Sequence, residues 1–447
     1  MIRRSMPSVR ELDEVFKPSL PDVFSSVHLT RSPSFWRRAL GFLGPGFLIS
    51  VGYMDPGNWA TDIAGGSRYG YTLLFVIMLS NLMAILLQSL ALKLGIATER
   101  DLAQACRESY SRPTAILLWI FAEVAIAACD LAEVIGSAIA LQLLFHIPLV
   151  IGVILTGADV LLLLLLQNKG FRYLEALVIT LIATIMILFG VEIVLSHPEW
   201  GLIARNLLLP TTSAIITDPG MLYIAISILG ATVMPHNLYL HSAIVQTRDY
   251  PRTTRGKREA IRFANLDSAT ALMIALFVNA AILVVAAAVF HRSGHFEIAE
   301  IEDAYKLLSP MLGVVGASTL FAVALLASGQ NSTITGTLAG QVVMEGFIDI
   351  KLKPWLRRLI TRTLAIVPTV IITFLYGASG TGKLIILSQV ILSLQLSFAV
   401  FPLVAFTSDR RRMGEFVNAR WLKHLSYSVA VLIAVLNIWL LIQTLRG

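Results

Sequence analysis

Charge is scarce in this chain. Only 14% of its 447 residues are Asp, Glu, Lys or Arg, against 56% hydrophobic and a mean hydropathy of +0.76, which excludes the surface of a soluble globule. Cysteine is nearly absent: Cys106 and Cys129 cannot build a disulfide framework, show no metal-ligand spacing and are expected to serve packing. The alternation of roughly ten-residue segments that a transmembrane barrel needs is also missing. Runs such as VLLLLLLQ at 160–167 are continuous instead. The first forty residues lack a short apolar core and a small-residue cleavage site, and they carry seven basic side chains. They are expected to be a cytosolic tail (1–40) rather than a signal peptide. What remains is an all-α integral membrane protein.

Apolar runs of roughly 20 residues, enough to span a bilayer, recur eleven times. They fall near 41–65, 71–96, 113–144, 148–167, 173–195, 219–247, 266–291, 309–347, 357–376, 384–406 and 424–445. With the amino terminus inside, 28 of the 35 Lys and Arg residues lie in the tail and the loops on its side, and six lie opposite. That asymmetry orients the chain with its amino terminus in the cytoplasm and its carboxyl terminus outside. The net charge of +7 is therefore a topology signal, and no nucleic-acid partner is expected.

Two of these runs are interrupted. GPGFLISVGYMDPGNWATD places Pro45, Pro56 and several glycines around Asp55, and GATVMPH places Gly230 and Pro235 around Met234. Proline removes a backbone donor and clashes with the preceding turn, so both helices should break there. Five spans separate the breaks, and an odd number of crossings gives two halves of opposite orientation, 41–195 and 219–406, with 424–445 as an eleventh helix. Unwound backbone at mid-membrane is tolerated only where protein or water satisfies its carbonyls.

A carboxylate at the bilayer centre costs roughly 2.5–3.5 kcal/mol on the lenient scale, which a bound cation or proton offsets. Asn58, three residues after Asp55, returns to nearly the same face and adds an amide oxygen. Met234 can add a thioether and Ala231 a carbonyl. Sulfur in an otherwise oxygen set favours manganese, iron, cobalt or cadmium over magnesium and calcium. The competing readings are plain: Asp55 as a cap of the following half-helix, Met234 as core packing, His236 as a hydrogen-bonded interior histidine.

MDPGN at 54–58 with MPH at 234–236 resembles the Nramp family of proton-coupled divalent-metal transporters, in its bacterial manganese branch. The resemblance covers essentially the whole membrane region. It implies a leucine-transporter-like fold of two inverted five-helix repeats plus an eleventh helix, and a place in the bacterial plasma (inner) membrane. It implies that Asp55, Asn58 and Met234 bind metal with the carbonyls of Gly52 and Ala231, and it places a glutamine where Gln389 stands. Manganese, iron or cadmium would be transported substrate and the proton a co-substrate, with no resident cofactor and a monomer as a workable unit. Magnesium-transporting relatives lack the methionine present here as Met234.

Glu123, Asp130 and Glu133 form a stripe on the third span. They suit either a proton relay or ion pairs with Arg357 and Arg358; the resemblance implies that Asp130, Glu133 and His236 move protons. Several patterns are set aside. GASGTGKL at 377–384 lacks the Ser or Thr and the preceding strand of a phosphate loop, and His236 and His241 are five apart without the glutamate of a zinc protease. The small residues of GTLAG at 336–340 are expected to serve packing. Alternatives of other kinds are a sodium-coupled amino-acid or amine symporter and a cation channel. No sequence feature points to an enzyme.

Overall fold

The computed structural model describes residues 27–28, 35–156, 171–209, 212–298, 300–314, 316–349 and 380–446, with 356, 360, 363–364 and 366–371 between the last two stretches. Most of the tail, the later part of the run at 148–167, and most of the run at 357–376 with Arg357 and Arg358 lie outside the described residues.

The first interrupted run forms α1 (Pro45–Ser50), a 3-10 turn over Val51–Met54 and α2 (Pro56–Tyr69). Gly70, at φ +59 with the His291 ring against it, turns the chain into α3 (Leu74–Thr98). Next come α4 (Arg112–Phe145) and α5 (Phe171–Ser196). The second interrupted run forms α6 (Pro219–Thr232) and α7 (Pro235–Ile244). After it follow α8 (Thr254–Ala286), α9 (Ile301–Leu312), α10 (Ala317–Ile348), α11 (Thr381–Thr407) and α12 (Arg420–Arg446).

Seven stretches among the described residues are long and apolar enough to cross a membrane, from Pro56–Thr98 to Arg420–Gln443; Pro45–Met54 is apolar but shorter. At 32 residues α10 has the length, but its buried face carries Ser328, Asn331, Thr333, Thr335 and Thr337, which lowers its hydropathy. The run expected at 309–347 divides: α9 stops at Gly313 in the left-handed conformation, φ +67, and the crossing helix starts only at Ala317.

The most extensive helix pair is α4 with α10. Its close approach depends on small residues, since a methyl on Gly336 would sit 3.2 Å from Glu133 Oε1 and 3.3 Å from Asp130 Oδ1. GTLAG thus serves packing, as expected, and what it packs against is the acidic stripe.

Candidate metal site

Pro56 has no N–H to give and fixes the start of α2, leaving Asp55 extended at φ −71, ψ 167. Met234 stands likewise extended before Pro235, at φ −74, ψ 123. Asp55 caps α2 by accepting from the Asn58 backbone N–H at 2.8 Å. That is the capping role weighed above.

Three successive carbonyls at the first break, those of Gly52, Tyr53 and Met54, are engaged. Met54 O accepts from Trp59 Nε1 at 3.2 Å and from Ser328 Oγ at 2.5 Å, and Tyr53 O accepts from Asn279 Nδ2 at 2.8 Å. Gly52 O lies 3.3 Å from Asn58 Nδ2. The same nitrogen lies 2.7 Å from Asp55 Oδ1 and 3.1 Å from Ala231 O at the second break. Three oxygens from both broken helices therefore converge on one amide nitrogen that has only two hydrogens to give. An amide oxygen was expected to face this cluster, but the NH2 end points inward, where the three oxygens accept from it. Asn58 Oδ1 turns away and accepts from Asn279 at 3.3 Å.

The surrounding residues close in tightly. A methyl on Gly52 would come 3.1 Å from Met234 Sδ and overlap the Asn237 amide; one on Gly57 would overlap the Gln389 amide. Gln389 Nε2 donates to Ser388 Oγ at 2.9 Å, while its Oε1 has no hydrogen-bond partner among the described residues. The backbone carbonyl of Gln389 lies against Gly230, so α11 touches both breaks. Asp55, Asn58, Met234 and Gln389 are all 0–1% exposed. Among the described residues no three His, Cys, Asp or Glu side chains group as metal ligands, so a cation here would rely on carbonyl and amide oxygens beside one carboxylate.

Asp130 and Glu133 are buried against α10, where Thr333 Oγ1 donates to Glu133 Oε2 at 3.3 Å. His236 is buried and within electrostatic range of Asp130, and its Nδ1 has no hydrogen-bond partner among the described residues. Glu123 is half-buried and accepts from Trp119 Nε1 at 3.1 Å. Sequence reasoning passed over a chain on α3, α7 and the first break, in which Gln88 donates to Tyr53 Oη at 2.7 Å and meets His241 Nδ1 at 2.8 Å. Cys129, expected to serve packing, places its Sγ 4.0 Å from Asp55 Oδ2 and 3.6 Å from Glu133 Oε1.

The two ends of the bundle differ. At the amino end of α1, Asp267 accepts from the N–H groups of Gly44 at 3.2 Å and Gly46 at 2.7 Å, and Arg248 pairs with Glu175 at 2.6 Å while donating to Leu43 O. At the far end of α2 a cavity of about 510 Å³ opens beside Ser67, Arg68, Tyr223, Phe296 and Lys383.

Two interrupted helices meeting over a buried carboxylate define a multi-pass membrane protein of the broken-helix carrier class. The family described as natural resistance-associated macrophage protein-like matches residues 46–443, and the chain belongs to this Nramp family. Similar relatives are the "Divalent metal cation transporter MntH" of Nostoc sp., 63% identical over 96% of this chain and 97% of its own length, and that of Listeria innocua, 64% identical over 96% of each. A crystal structure of the Eremococcus coleocola manganese transporter, with an aromatic bis-isothiourea substituted compound, superposes with a TM-score of 0.88 at 45% identity, covering 94% of this chain and 90% of that one. A nucleobase-cation-symport-1 family transporter shares the fold alone, at TM-score 0.60 and 14% identity over 84% of this chain and 81% of that one. The fold is leucine-transporter-like, and the named relatives are transporters rather than enzymes.

Proposed function

We propose that this protein is a secondary active transporter that imports divalent transition-metal ions together with protons by alternating access. Manganese is the foremost cargo, with iron, cadmium and cobalt as further ones. The observation that carries this reading is the convergence of Asp55 Oδ1, Gly52 O and Ala231 O on one point where two helix breaks meet. Relatives at 63–64% identity named for divalent metal cations, and a manganese transporter at 45%, support the same cargo.

In this reading Asp55 holds the ion as a carboxylate, and Asn58 turns its amide so that Oδ1 replaces the nitrogen. The Gly52 and Ala231 carbonyls complete the oxygen set, Met234 biases it toward softer ions, and Gln389 brings the unpartnered Oε1 to it. Asp130, Glu133 and His236 carry the proton, with Glu123 at the margin of that route and Arg357 and Arg358 as its ion-pair partners. The fastened end of α1 and the cavity beyond α2 support a state closed toward the cytoplasm. The halves α1 and α7 then hinge at their breaks to exchange access.

The chain sits in a bacterial plasma (inner) membrane with its amino terminus in the cytoplasm, in keeping with the distribution of Lys and Arg. Residues 41–195 and 219–406 form the two repeats, 424–445 adds the eleventh helix, and a monomer is the working unit without a resident cofactor. Uptake of manganese, magnesium and calcium into proteoliposomes, with and without a pH gradient, tests the reading. The expected result is saturable manganese uptake stimulated by external acid, with little magnesium or calcium. Unsaturable uptake indifferent to pH would indicate a channel instead, and no manganese uptake at all would overturn the proposal.

A further inference from the structure

Arg112 opens α4 and is exposed. Ile116 and Ile120 follow it at four-residue steps, with Pro113 and Leu117 on the adjoining stripe, so all five lie along one side of the helix. Together they line a groove of about 460 Å³, apolar everywhere but at its arginine end. From Arg112 to Ile120 the helix rises about 12 Å, close to the depth of one leaflet, about half of a 30 Å hydrocarbon core.

The charged end of the groove has a second arginine beside it. Arg412, in the short helix Arg410–Met413, donates to Ser109 Oγ at 2.6 Å and lies over the Phe406 ring at 4.7 Å. Ser109 is three residues before Arg112, so both arginines belong to the same turn of chain at the start of α4. The acidic neighbours are engaged: Glu108 pairs with Arg100 at 2.9 Å, and Asp409 accepts from the Arg411 backbone N–H at 2.9 Å. Among the described residues Arg112, Arg410, Arg411 and Arg412 enter no ion pair. They also lie on the side where Lys and Arg concentrate. A free anion would satisfy the arginines and leave the apolar slot unused, and a zwitterionic lipid would fill the slot without supplying net negative charge.

We propose that this groove is a binding site for one anionic phospholipid, its phosphate held by Arg112 and Arg412 and one acyl chain lying along Pro113, Ile116, Leu117 and Ile120. None of these residues belongs to the two helix breaks, so the proposal stands independently of the metal-transport reading.

The test is native mass spectrometry of the full chain in detergent, titrated with phosphatidylglycerol, phosphatidylethanolamine or glycerol phosphate. Wild type is expected to form one tight phosphatidylglycerol adduct, bound at least about tenfold more tightly than phosphatidylethanolamine, and no adduct with glycerol phosphate, which has the anion without the acyl chains. Arg112→Gln with Arg412→Gln is expected to weaken phosphatidylglycerol at least about tenfold, since each basic residue near an anionic headgroup contributes about fivefold. Ile116→Trp with Ile120→Trp, which fill the groove and keep both arginines, are expected to weaken it about fivefold. Arg255→Gln with Arg262→Gln, exposed residues at the start of α8, should leave it within about twofold. Equal binding of the two lipids by wild type, or many weak adducts without a tight one, would show ordinary boundary lipid and overturn the proposal whether or not the variants fold. Glycerol phosphate bound as well as phosphatidylglycerol, or an affinity unchanged in the arginine or the groove variant, overturns it as well.

Discussion

Asn58 donates its side-chain amide to the carbonyl oxygen of Ala231 across 3.1 Å, joining two helix breaks that lie 173 positions apart in the chain. The same nitrogen reaches Asp55 Oδ1 and Gly52 O, so it stands where three oxygens would hold a cation. An amide can leave that position by turning over, a small rearrangement that exchanges a donor for an acceptor.

If Asp55 supplies the only full negative charge of that cluster, its neutral isostere cannot replace it. Asp55→Asn and Asp55→Ala are expected to abolish manganese uptake, measured in proteoliposomes against wild type at equal protein. Normal transport by either variant removes the carboxylate from the site.

Met234 presents its sulfur at Gly52, beside the oxygens rather than among them. Met234→Ala should therefore keep part of the manganese uptake while admitting calcium or magnesium more readily, because a set of oxygens alone prefers the harder ions. Competition of manganese uptake by calcium reads this directly, and equal competition in wild type and variant would show the thioether to be packing.

Both breaks were legible because proline and glycine act locally: Pro56 leaves Asp55 extended and Pro235 leaves Met234 extended wherever the rest of the chain goes. Their meeting was legible only as a pattern, since nothing in 52–58 names Ala231 as a neighbour. The partners of Cys129, expected to serve packing, and of Asn279, open between the metal pathway and interhelical hydrogen bonding, were hidden for the same reason. Each sits on an apolar helix whose rotation about its axis is set by packing, and only packing turns them toward Asp55 and Tyr53. The Tyr53, Gln88 and His241 chain joins three elements, and the search for two histidines on one helix face could not find it.

The fastening of α1 carries its own consequence. Arg248 and Glu175 are 1% and 2% exposed, and removing the carboxylate leaves a buried guanidinium supported mainly by the Leu43 and Thr247 oxygens. Breaking such a pair from one side costs about 3–5 kcal/mol. Glu175→Ala is expected to lower the unfolding temperature in detergent clearly more than Glu175→Gln, whose amide oxygen can still accept from Arg248. Equal midpoints for the two variants would show that the pair contributes little.

Glu302, in α9, is 5% exposed. Burial, reinforced by Glu300 and Asp303, pushes its pKa up to about 7 from an ordinary value of 4.5. Below pH 4.5 the carboxyl is protonated in both folded and unfolded chains and no penalty arises. As pH rises toward 7 the unfolded chain ionises first, so stability falls across that window and levels off above it. Glu302→Gln is expected to be more stable than wild type at pH 8, by up to about 3 kcal/mol, and no more stable at pH 4.5. Thermal unfolding at the two pH values checks this; a gain of the same size at both would assign it to packing.

The most direct measurement of the central claim is the anomalous difference density of manganese in crystals of the wild-type protein soaked with the metal. The account requires a single dominant intramembrane peak bounded by Asp55, Asn58, Met234 and the carbonyls of Gly52 and Ala231, with the Asn58 amide turned so that its oxygen faces the ion. A dominant peak away from the two helix breaks, or one there that persists in Asp55→Ala, would contradict it.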